Sequence, residues 1–458
     1  GSFTVGETGS VTVRSGNLVI GDDTAIGVTP NFIRINEESA TPYTQNGALS
    51  VTGAVTIDFD QDDITGPIAF GTEATIGATG DVTIVADAGG DYDVTGGVDI
   101  DAQDISITAS GAGADITVED IDADGSILIV VNDGLTTGNL TAAGETDPGF
   151  KAGVTTFAIA IDAGGDVVIN GTTTANAVAD LDVYIDPATV TINSSVETTG
   201  NYIAWATGAI TVNADVTSTG GDVILHADDT GADVVDGTPT YTSHDAAGNL
   251  LIDEGVTIRA GDLVSLAGEN VTARDVTAGT TLAITADTTV TLGGDLLAAG
   301  PGAGGTAITF TDGGGDLDVD LITDVSLTAI NNGIDMNTTT LDGNYALDID
   351  AGTGANADVT LGTIGGATAL QSVTVSAIGT GTTTLNGNIT TVNDLNLSAA
   401  TDVNLVGART LTSNLGNVHV DGGDVAGAGL LTLAATAGDV YLGAMALTGG
   451  LTATAGRD

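Results

Sequence analysis

The chain has 458 residues, with 61 Asp and Glu against seven Lys and Arg, giving a formal charge of −54. A binder of nucleic-acid backbones needs clustered cations, so that class is excluded. With 42% apolar and 15% charged residues the chain can bury a core, which excludes a disordered polyanion. It has no Cys, which excludes a disulfide scaffold, thiolate metal sites and thiol catalysis.

The acid is biased. Nine of the acids are Glu and 52 are Asp, beside 68 Gly and a single Lys, Lys151. Asp favours turns and Glu favours helix, so a helical bundle is excluded. No run of about 18 apolar residues occurs, so no helix of membrane-spanning length is expected. Seven Phe, seven Tyr and one Trp are too few for the aromatic girdles of a membrane barrel.

Residues 1–75 carry Phe3, Phe32, Tyr43, Phe59 and Phe70 and the stretch NEESATPYTQNG from Asn36. They are expected to form an irregular cap or the first coils. From residue 76 a phrase recurs: Gly, then Asp or Asn, then apolar-x-apolar. It reads GDVTI from Gly80, GDVVI from Gly165, GDVIL from Gly221, GNVHV from Gly416 and GDVYL from Gly438. Several gaps between phrases lie near multiples of about 27–28 residues. The Gly is expected to turn a corner with positive φ. The Asp or Asn is expected to hydrogen-bond the turn, and the apolar residues to point inward from a short strand.

Short strands separated by Gly/Asp/Asn/Thr turns fit a β-solenoid, in which two or three strands per coil form the faces of a prism. The narrow interior suits Val, Ile, Leu and Ala. A string of β-sandwiches is the competing architecture, and the poverty in aromatics and Pro weighs against it. The expected fold is therefore all-β: a parallel β-solenoid of about 16–23 coils, with residues 76–458 as its repeat region. Loop excursions are expected near 143–154, 227–248 and 298–305. The chain ends LTATAGRD in mid-pattern, so a longer chain or end-to-end self-association is expected.

The sharpest local chemistry is Asp120-Ile121-Asp122-Ala123-Asp124-Gly125. It has acids at positions 1, 3 and 5 and Gly at 6, as in the first half of a calcium loop. Position 12 would be Val131 where a bidentate Glu is needed, so the loop is incomplete. The competing reading is a strand with outward Asp and inward Ile. Further Asp pairs alternate at Asp58/Asp60, Asp99/Asp101, Asp316/Asp318/Asp320 and Asp348/Asp350. Same-face acids on adjacent coils would repel at about 5 Å, and divalent cations such as Ca2+ would relieve them. His226, Asp228, Asp229, Asp233, Asp236, His244 and Asp245 gather in the longest excursion without a compact metal spacing. His419 alternates with Val418 and Val420, so it is expected to face outward. No catalytic set assembles from the sequence, and no enzyme activity is expected.

The recurrent GDV-x-apolar phrase, the Thr/Ala/Gly/Asp-rich composition and LTLAATAGDVYLGAMALTGGLTATAG from Leu431 resemble the repeat regions of bacterial surface proteins of the filamentous-haemagglutinin and autotransporter-adhesin type. The resemblance covers residues 76–458. It implies a right-handed parallel β-helix at the cell surface, serving as an adhesive or structural shaft. Its partners would be further copies or repeats, or a cell-surface glycan or protein receptor. A surface-layer subunit and a carbohydrate-active β-helix are the alternatives. As a rod of about 80–110 Å, such a chain would carry about one charge per 1.5–2 Å, comparable with duplex DNA.

Overall fold

A computed structural model describes residues 48–457, less 52, 60–67, 71–73, 87–93, 96–97, 111–112, 114, 145–156, 177–180, 228–247, 302–304, 313–316 and 355. Of the residues before 48 it describes four strands: Val11–Val13, Leu18–Ile20, Phe32–Ile35 and Tyr43–Gln45. The chain is an all-β parallel solenoid of about 14 turns, with no helix among the described residues. The sequence led to 16–23 coils. The count is lower because several coils are longer than assumed and part of the chain lies outside the described residues. The expected excursions near 143–154, 227–248 and 298–305 fall largely on those same residues.

Two compact units divide the chain: residues 1–221 with 229–243, and residues 222–228 with 244–458. In each, a coil has three faces, one strand to a face. In the N-terminal unit one coil runs Ile105–Ala109, Ile116–Thr117 and Ile121–Ala123. The next runs Ile127–Val131, Leu135–Thr137 and Leu140–Ala142, and each strand pairs in parallel with its predecessor. The early strands join the same ladders: Val11 pairs with Ile33, Phe32 with Thr56, and Val55 with Val82. In the C-terminal unit several strands run unbroken across two faces, as Val264–Ala273 and Leu282–Leu292 do. That unit's later coils run Val418–Val420, Asp424–Gly427 and Leu431–Ala435, then Val440–Leu442, Met445–Leu447 and Leu451–Ala455.

The core follows from period-two patterning. Strands such as Val98–Ala102 and Leu317–Leu321 alternate buried and exposed along their length. Because successive coils keep register, inward residues stack into columns. Ile57, Ile84, Ile107, Ile129, Ile161 and Ile185 form one such column in the N-terminal unit, each at most 2% exposed. In the C-terminal unit Val271, Val290, Val319, Leu341, Ile364, Ile389, Leu411 and Leu433 form another. β-branched side chains suit this stacking because their fixed χ1 packs well on a pleated surface. The interior has no room for aromatics beyond rare exceptions such as Tyr202, which is fully buried in register with Val183.

Coil length is loose while register is strict. Residues bonded one coil apart are separated by as few as 18 positions (Asp262 to Thr280) and as many as 41 (Asp222 to Leu263). Extra residues leave at the corners and do not disturb the faces. That explains the imperfect spacing of the Gly-Asp phrase.

The Gly of the phrase does not do what the sequence led one to expect. Among its described members, which include GNYAL from Gly343, only Gly343 has a positive φ, at 138°. At Gly80, Gly221 and Gly416 the requirement is space. A Cβ would stand 2.6 Å from the amide nitrogen of Ala54, 2.5 Å from the carbonyl carbon of Gly200 and 2.5 Å from that of Asn393. Each contact is backbone of the preceding coil. Glycine is there so that two coils can meet at the corner.

Candidate functional site

Many of the described acids stand at the corners, and their role there is visible in the hydrogen bonds. A carboxylate at a corner accepts an N–H from the next coil. Asp104 Oδ1 accepts from the Ser126 amide at 2.7 Å and the Ser126 hydroxyl at 3.0 Å. Asp115 accepts from the Gly134 amide, and Asp120 from the backbone and side-chain nitrogens of Asn139. In the C-terminal unit Asp275 accepts from the Asp295 amide and Asp295 from that of Ser326. Asp394 accepts from Asn417, whose side-chain oxygen accepts from the Asp439 amide. A short acidic side chain is needed because it must reach one rung along and no further. That accounts for Asp in place of Glu, and for the second residue of the Gly-Asp/Asn phrase. Hydrogen bonds to a charged acceptor are among the stronger ones, about 1.5–3 kcal/mol each before solvent exposure is discounted.

Amides do the same work with side chains alone. Asn193 donates to Asn170 Oδ1 at 2.9 Å, and Asn213 donates to Asn193 Oδ1 at 2.8 Å. A second amide column joins Asn344, Gln371 and Asn393. Ladders of stacked amides pair donor to acceptor along the stacking direction. Buried hydroxyls close other corners. Thr391 and Ser413 both donate to the Asn393 carbonyl, and Ser413 Oγ also accepts from the Gly416 amide. Thr198, Ser218, Gly200 and Gly221 repeat the arrangement in the N-terminal unit. Sequence reasoning missed these hydroxyls. Their signal was a Thr or Ser two or three residues before a corner Gly or Asn.

Asp120, Asp122 and Asp124 lie on and beside the strand Ile121–Ala123, all three exposed, with Ile121 and Ala123 buried between them. The extended backbone turns them outward in a row and does not wrap them around a centre. Asp122 lies in register with Asp101 on the preceding coil. No three His, Asp or Glu side chains come together as a metal-ligating group among the described residues. Asp318 and Asp320 lie in register with Thr340 and Asp342. Burial first, then the charges of Asp342 and Asp318, raise the Asp320 carboxyl above its ordinary value. Asp58, Asp60 and Asp316 fall where side chains are not described.

Of the histidine and acid group around the longest excursion, the structure describes His226 alone, since residues 228–247 lie outside the described ones. His226 is on the strand Val223–Ala227, 2% exposed, with Nε2 2.8 Å from Ser265 Oγ. His419 faces outward, as its alternation with valines indicated. Its ring stacks on Tyr441, in register one coil on, with centroids 4.3 Å apart and planes 2° apart. Asp421 Oδ1 lies 3.8 Å from His419 Nδ1.

Open clefts lie among the described residues of each unit. One of about 510 Å3 in the N-terminal unit is lined by Asp115, Asp133, Asp166, Thr117 and Thr136. One of about 340 Å3 in the C-terminal unit is lined by Asp335, Asp358, Asn356 and Thr360. Asp115, Asp166, Asp335 and Asp358 are each occupied by a hydrogen bond to backbone or hydroxyl. In the N-terminal unit Tyr184 and Trp205 are outward by register yet buried, edge to face at 6.2 Å.

No known protein family, curated protein or solved structure matches the chain.

Proposed function

We propose that the chain is a structural element of an extracellular or cell-surface protein, acting as an adhesin shaft or filament subunit. The observation that carries this reading is the use made of the acids. Corner after corner, the described carboxylates hold one coil to the next through backbone N–H groups. Side chains committed to scaffolding in this way favour a mechanical role over catalysis. The resistance of the molecule lies in backbone ladders that every coil shares with its neighbours, so stability accumulates as nearest-neighbour terms. Negative-stain imaging of the native material, with antibody labelling of intact cells, tests the reading. Surface-exposed fibres support it. A product confined to the cell interior overturns it.

Divalent cations belong to the same proposal. Asp101 faces Asp122, and Asp320 faces Asp342, one rung apart on exposed surfaces. Like charges about 5 Å apart repel, more so at low ionic strength. The melting temperature is expected to rise with NaCl, and more steeply with CaCl2 or MgCl2 at equal ionic strength. Identical melting curves in low salt, high salt and calcium would dispose of this.

A further inference from the structure

We draw no further inference here: the strongest candidate, the column of outward threonines Thr410, Thr432 and Thr452 on one face of the C-terminal unit's later coils, is a stripe of small side chains, and nothing in the structure shows what covers it.

Discussion

Replacing Ile129 by Ala is expected to cost about 2–5 kcal/mol, and to loosen the coils next to it before the rest of its unit. Ile129 is fully buried and sits between Ile107 and Ile161 in an unbroken isoleucine column. A hole at that level removes contacts above and below, and the strict register prevents the neighbours from closing it. Ile129→Asp is expected to cost more, because the carboxylate finds no hydrogen-bond partner in an aliphatic stack. Hydrogen exchange reads the outcome. Protection should fall first in 105–109 and 159–163, and fade with distance along the ladder. Uniform loosening of the whole unit would mean that it folds as one cooperative block, and the nearest-neighbour account would fail.

Gly416→Ala is expected to destabilise by about 1–3 kcal/mol or more, through overpacking of backbone against backbone. Its Cβ would lie 2.5 Å from the carbonyl carbon of Asn393 and 2.6 Å from the Asp394 amide nitrogen. Neither atom can rotate away. Relief would require the two coils to part at that corner, which would also strain the Gly416 bond to Ser413 Oγ and the Asn417 bond to Asp394. Gly77→Ala is the control. Nothing lies within 4 Å of its Cβ, and its φ is not positive. It should be neutral or slightly stabilising, since Ala narrows the unfolded ensemble. If thermal unfolding showed equal losses at both sites, the corner glycines would owe their place to something other than close approach.

The fold was legible because two signals agree. Period-two apolar residues gave inward columns, and the Gly-Asp/Asn phrase marked corners. What the phrase could not reveal is why Gly stands there. Positive φ and close approach leave the same letter in a sequence, and only the position of the preceding coil separates them. The number of faces was equally hidden, since a coil with two strands or three yields similar strings of short apolar runs. Asp120, Asp122 and Asp124 show the reverse difficulty. Alternate acids before a Gly read equally as a metal loop or as an outward strand edge, and the burial of Ile121 and Ala123 belongs to the second pattern. His226 was grouped with His244 and the acids that follow it by proximity in sequence. The V-x-L-x-A alternation around it was the better guide, since it marked a strand with an outward histidine. Its burial depends on contacts far along the chain, which no local pattern records.

The corner hydrogen bonds share an orientation. Where a carboxylate joins one coil to the next through a backbone N–H, the acceptor oxygen belongs to the earlier coil and the N–H to the later one, as with Asp104 and Ser126 or Asp394 and Asn417. The amide column obeys the same order, Asn213 donating back to Asn193 and Asn193 to Asn170. The backbone ladders run in both senses, Val82 donating to the Asp104 carbonyl and Gly80 to that of Gly53, so it is the side chains alone that give a finished coil a row of acceptors for the N–H groups of its successor. Folding that advances from the N-terminal side meets a prepared template at every step, and each captured N–H secures the advance like the pawl of a ratchet. Growth in the opposite sense would have to order the carboxylates around donors already in place. The ladder thus has a chemical arrow, and it points in the direction in which a ribosome delivers the chain.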